Sequence, residues 1–148
     1  IIHKKNIFAT YLFLIMKYSQ LIGILAAIAI IGVCYMPWVY VPSINVTLSG
    51  INGKVNEQLT FGRQVIPHTA LSLLLILFFL IPKIWAKRTN LFIGFISLSW
   101  AIKNYIIFSM CRQTICPDKK AGLYLLIILA FIVQISTLLP KLTVKQKD

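Results

Sequence analysis

A chain of 148 residues carries fifteen Lys and Arg against three acids, Glu57, Asp118 and Asp148, for a formal net charge of +12. Apolar residues make up 59% and charged residues 12%, against about 45–50% and about 25% in average soluble domains. A soluble domain of this size could not hide so much apolar surface, the hydrophobicity excludes disorder, and the basic residues form no dense patch of the kind that binds nucleic acid. The composition points to a small integral membrane protein. Its first partner is the lipid bilayer, and other membrane proteins are further candidates.

In chain order, Met16-Lys17-Tyr18-Ser19-Gln20 reads as a natural start, one basic residue before a long apolar run. Residues 1–15 are therefore expected to be upstream sequence translated from a misplaced start. The competing reading is an amphipathic lead-in that lengthens the first helix. Residues 1–18 form an expected N-terminal cytoplasmic segment, and residues 19–148 a single four-helix transmembrane domain. The first apolar stretch, residues 21–40, exceeds the 7–15-residue core of a signal peptide, and no A-x-A-like site follows it. Val33 is the wrong residue before Cys34 for lipoprotein cleavage. The stretch is read as an uncleaved span.

Between the first and second apolar stretches, Ile44-Asn45-Val46-Thr47-Leu48 alternates apolar and polar residues. Ser49-Gly50-Ile51-Asn52-Gly53 follows, and weaker alternation resumes through Val55, Leu59 and Phe61. Period-two alternation broken by Asn-Gly is a strong short-range hairpin signal, so residues 44–48 are expected to pair with 55–61 across 49–53. An isolated hairpin is marginal in water; the Met36-Pro37-Trp38 corner is its expected floor, with Trp38 and Tyr40 as interfacial aromatics. Asn45-Val46-Thr47 is a glycosylation sequon that matters only in a secretory pathway.

The second stretch covers residues 66–85, with Pro67 in its first turn, where a missing N–H costs nothing. His68 beside it is expected to be a solvated helix-start residue, with pH sensing as the sharper reading. The third stretch covers 91–110 and the fourth 121–139, each followed or preceded by basic residues; Pro82 and Pro140 close the second and fourth. Stretches of roughly 19–20 residues at 1.5 Å per residue match a hydrocarbon core of about 30 Å. The expected fold class is an all-α membrane protein, a four-transmembrane-helix bundle with a small β-hairpin in the first exoplasmic loop. With the termini cytoplasmic, nine basic residues (Lys4, Lys5, Lys17, Lys83, Lys87, Arg88, Lys141, Lys145, Lys147) lie inside and five (Lys54, Arg63, Arg112, Lys119, Lys120) outside. The positive-inside rule favours that orientation in a cell membrane.

Cys111 and Cys116 fall in the second exoplasmic loop, where a structural disulfide is expected; free thiols and a redox or metal role are the alternatives. Their spacing is not C-x-x-C, and neither His3 nor His68 is an obvious fellow ligand. Intramembrane ionisable residues are the default place to look for function, and Lys103 is the candidate. It either snorkels or pairs with Glu57 or Asp118, and Ser99, Asn104 and Trp100 make this end of the third stretch its most polar. Gln134, Ser136 and Thr137 in the fourth stretch are expected to form interhelical hydrogen bonds. Phosphate-loop, dinucleotide-binding, nucleophile-elbow and zinc-protease motifs are absent, as is a pair of carboxylates within the membrane. No catalytic set, cofactor or metal site is expected.

The start MKYSQ, the corner MPWVYVPSI, the LSGINGKVN turn, the IPKIWAKRTNLF connection and the CRQTICPDKK loop resemble uncharacterised small four-span bacterial inner-membrane proteins. That resemblance covers nearly the whole chain from Met16 and implies no activity. The layout is also similar in shape to claudin-type four-span proteins, but residues 41–65 hold no cysteine and lack that family's loop signature. The leading expectation is a non-enzymatic accessory or scaffold subunit. The alternative is a transporter, channel component or lipid-handling protein, with Lys103, Ser99 and Asn104 lining an outward vestibule. A redox enzyme using Cys111 and Cys116 comes third.

Overall fold

Prolines set the element boundaries that apolarity leaves open. The computed structural model describes residues 2–57, 60–111 and 116–139. Helix α1 runs Ile2–Val33 and passes through Met16 without a break. After a turn, Pro37 opens strand β1, Pro37–Val41, and a 3₁₀ turn at Pro42–Ile44 leads to strand β2, Val46–Ser49. Helix α2 spans Val65–Leu80, α3 Ile84–Ser109 and α4 Ala121–Leu138, with the short strand β3, Asp118–Lys119, between the last two helices.

The expected four-span bundle is not what forms. Four helices are present, but among the described residues two, α3 and α4, are long and apolar enough to cross a membrane; the Tyr18–Val33 part of α1 and the whole of α2 are shorter apolar segments. Apolarity runs on past both shorter helices while the backbone does not. Residues 34–40 leave the helix for β1, and Ile81 turns extended (φ −82°, ψ 116°) before Pro82. A residue preceding proline is pushed out of the helical region, and proline itself cannot continue a helix. At 16 residues α2 is roughly 24 Å long. Trp85, Lys87 and Arg88, expected in and around a cytoplasmic loop, belong to the first turns of α3, leaving 81–83 as the connection.

The expected hairpin is also replaced. β2 pairs antiparallel with β1, Tyr40 opposite Thr47 and Val41 opposite Val46, and β3 pairs with the other edge of β1 to give the order β2-β1-β3. Within residues 55–61 no strand forms among the described residues; one isolated bridge, Lys54 to Thr60, closes a tight loop. Val46 and Leu48 turn inward as the alternation implies, but Ile44 sits exposed in the 3₁₀ turn. Asn45 ends that turn at φ 52°, and its Oδ1 accepts a hydrogen bond from the Tyr40 hydroxyl at 2.6 Å. Asparagine tolerates this left-handed conformation better than most residues, which gives the first sequon position a turn-forming role.

Each helix packs on two others, α1 on α2 and α4, and α3 on α2 and α4. The sheet closes one end. Trp38, placed by sequence as an interfacial aromatic, is instead fully buried there. Its Nε1 donates to the Val33 carbonyl at 2.9 Å and its ring meets Phe108 edge-on at 5.4 Å. Gly122 makes this seat possible: a Cβ on it would lie 2.6 Å from the Pro37 carbonyl oxygen and 2.9 Å from Trp38. Cys111 and Cys116 are joined by a disulfide beside the sheet edge, and Cys34 is a buried free thiol. Arg112, Leu59, Pro140 and the lysines beyond it lie outside the described residues.

Candidate functional site

A set of polar side chains is buried between the helices. The buried face of α3 carries Lys87, Asn90, Ser97 and Asn104, interleaved with Gly94 and Ala101. Across from it α2 buries His68 and Ser72, and α4 buries Ser136 and Thr137. At the sheet end Asn104 and His68 meet, amide nitrogen to Nε2 at 2.9 Å, with the His68 ring edge-on to Trp38 at 6.1 Å. With the Asn104 amide donating, the ring accepts at Nε2 and carries its proton on Nδ1, an assignment that follows from the amide orientation. Nδ1 has no protein partner among the described residues, nor do the hydroxyls of Ser72 and Ser97, both amide atoms of Asn90, or Gln134 Oε1. Buried polar groups are as a rule hydrogen-bonded, so this row of open valences is the most unusual feature of the interior.

At the other end Lys87, 8% exposed, donates from Nζ to the Phe79 carbonyl at 3.2 Å. Phe79 lies in the last turn of α2, whose carbonyls lack intrahelical partners and carry partial negative charge. Lys87 therefore caps α2 from α3.

Lys103 is not inside the bundle. It is exposed, with its ammonium 4.0 Å from the centre of the Trp100 ring, and no ion pair joins it to Glu57 or Asp118 among the described residues. Ser99 is exposed as well. Lys103 and Asn104, adjacent in sequence, point about 100° apart around the helix. The structure thus separates the expected cluster: Asn104 goes to His68, and Ser99, Glu57 and Asp118 are not brought to Lys103. What Lys103 joins is a cleft of about 280 Å³ lined by Thr60, Phe61, Gln64, Asn104, Ile107 and Phe108. Gln64 organises one wall, accepting from Trp100 Nε1 at 3.2 Å and donating from Nε2 to the Phe61 carbonyl at 2.6 Å.

Among the described residues the α4 polar side chains do not bridge helices. Ser136 donates back to the Ile132 carbonyl and Thr137 to that of Gln134; a cross-helix bond at this end runs from the Ser19 hydroxyl to the Leu139 carbonyl, 2.6 Å. His68, expected to be solvated, is buried to 1% exposure. A signal was present in the sequence: His68 and Ser72 are one turn apart on α2, and Ser97 and Asn104 are two turns apart on α3, so each helix carries polar groups on one face. No group of three metal-ligating side chains occurs among the described residues. No protein-family model matches the chain, and neither a curated protein nor a solved structure matches it.

Proposed function

We propose that this chain is a non-catalytic protein of the cell membrane, an accessory or scaffold subunit whose helices lie in lipid and whose sheet end meets water and a partner. One observation carries the reading: the flanks of the helices are apolar, while a row of polar side chains is buried between them. Phe92 and Phe95 on α3 are 71% and 62% exposed, and Leu25, Leu73, Leu77, Ile128 and Phe131 are exposed around the other helices. Soluble monomers rarely expose contiguous apolar surface beyond a few hundred Å², whereas polar residues turned to the interior are the rule in lipid. In this reading α3 and α4 cross the bilayer, while α2, at 16 residues, and the Tyr18–Val33 part of α1 pack along them. Lys83 and Arg88 beside the start of α3 favour that end for the cytoplasm, with both termini on the same side.

Alkaline carbonate washing followed by flotation tests the embedding: the chain is expected to stay with the membranes, and release into the soluble fraction overturns the reading. Crosslinking from position 54 in native membranes is expected to trap one defined partner, and a monomer that crosslinks to nothing overturns the accessory role.

A further inference from the structure

We infer that the Lys103 cleft binds the phosphate of an anionic lipid headgroup. The inference rests on the bilayer reading above and goes beyond it by naming a ligand. Charge comes first: the lining holds one cation and no acid, and Lys103 has no carboxylate partner among the described residues. A lysine ammonium is a compact point charge suited to phosphate. Its position is held, since the ammonium rests on the Trp100 ring, whose Nε1 is tied to Gln64, which is tied in turn to the Phe61 carbonyl. A site fixed in advance loses less freedom on binding.

Neutral donors complete the set. Thr60 brings a hydroxyl to the wall, and Asn104, 1% exposed, brings an amide anchored by His68. The Asn104 amide nitrogen carries two hydrogens, and His68 Nε2 takes one of them. A phosphodiester spreads one negative charge over two non-bridging oxygens, which an ammonium, a hydroxyl and an amide N–H satisfy together.

Depth distinguishes a lipid from a free anion. Lys103 lies six residues before the end of α3 at Ser109, roughly 9 Å along the helix, within the headgroup region when the sheet end is in water. Ile102 and Ile106 flank it on the outer face of α3, 39% and 52% exposed, where acyl chains would descend.

The test is native mass spectrometry of the full chain released from detergent. It is titrated with phosphatidylglycerol, with phosphatidylcholine, or with phosphatidylglycerol in the presence of inorganic phosphate. Phosphatidylglycerol is expected to bind about fivefold more tightly than phosphatidylcholine, with Lys103→Gln abolishing the preference and Lys54→Gln, a cation outside the cleft, keeping it. Equal binding of the two lipids, or a preference that survives Lys103→Gln, overturns the inference. Displacement by inorganic phosphate at concentrations comparable to the lipid's reassigns the site to a free anion and overturns the headgroup. Co-flotation of both variants with phosphatidylcholine vesicles reports embedding separately, so failure of the bilayer reading and failure of the cleft give different results.

Discussion

Replacing Trp38 by alanine empties the joint between sheet and helices. The ring is fully buried, donates one hydrogen bond to Val33, and contacts Phe108 and His68 edge-on. Truncating a buried aromatic to alanine costs about 3–5 kcal/mol, with the upper half expected where surroundings cannot collapse. Here they cannot easily do so, because β1 is held on both edges and Gly122 fixes its distance from α4. Trp38→Phe keeps most of the ring contact but removes the indole donor from the Val33 carbonyl, which retains the Met36 N–H at 3.1 Å; with one net hydrogen bond worth about 0.5–1.5 kcal/mol and some lost volume, about 2 kcal/mol is expected. Trp85 is the control, since it is half exposed and its one aromatic contact is Phe78 at 5.8 Å; Trp85→Ala is expected to cost about 1 kcal/mol or less. Urea unfolding of the detergent-solubilised protein, followed by far-ultraviolet circular dichroism, orders the three variants. Equal losses for Trp38→Ala and Trp85→Ala would refute the argument that the sheet is pinned through this ring.

Asn104→Ala leaves His68 Nε2 unpaired and is expected to cost about 1–3 kcal/mol; combined with His68→Leu the loss should fall short of the sum, and strict additivity in a double-mutant cycle would separate the two residues. Gly122→Val drives side-chain carbons into the Pro37 carbonyl and Trp38, and a loss of about 1–3 kcal/mol is expected in the same unfolding assay. Thiol titration in denaturant is expected to find one reactive cysteine, Cys34, without reductant and three after reduction; three from the outset would mean that Cys111 and Cys116 are free thiols. Lys87→Met removes the cap on the α2 carbonyls and should lower stability by about 1 kcal/mol more than Arg88→Met does, read as the difference in unfolding midpoints.

Helix α4 was legible at both ends and α3 at its C-terminal end. The apolar run at 121–139 corresponds to Ala121–Leu138, while α3 starts seven residues before the run at 91–110 because the basic stretch around Lys87 and Arg88 is itself helical. Residues 34–40 carry no charge, so an uncharged run carried the first span too far, although two tyrosines, a tryptophan and a proline make it less apolar than the stretch before it. The β-branched and aromatic alternation behind Pro37, with Val39 and Val41 facing Trp38 and Tyr40 along the chain, was the contrary signal. The Asn-Gly pair misled because β2 found its partner upstream in β1. Pairing choice depends on which strand has a buried face to share, which no local motif encodes. For the site, ionisability drew attention to Lys103, while the residue that enters the interior is its neighbour. Counting back from Asn104 in steps of three and four reaches Ala101, Ser97, Gly94 and Asn90, a stripe that excludes position 103. Helical spacing identifies the inward face; charge alone does not.

That stripe has a further mechanical meaning. From Lys87 the buried positions of α3 fall at 90, 94, 97, 101, 104 and 108, alternating steps of three and four. The mean repeat of 3.5 residues is shorter than the 3.6 of a straight helix, so keeping this seam against its neighbours winds α3 in a left-handed sense. A purely aliphatic seam would tolerate sliding by one turn, since one leucine replaces another. Here a slip of about 5.4 Å would carry Asn104 off His68 and Lys87 off the end of α2 at once. The polar groups set the vertical alignment of the helices, so the cleft and the sheet stay at one height along the bundle.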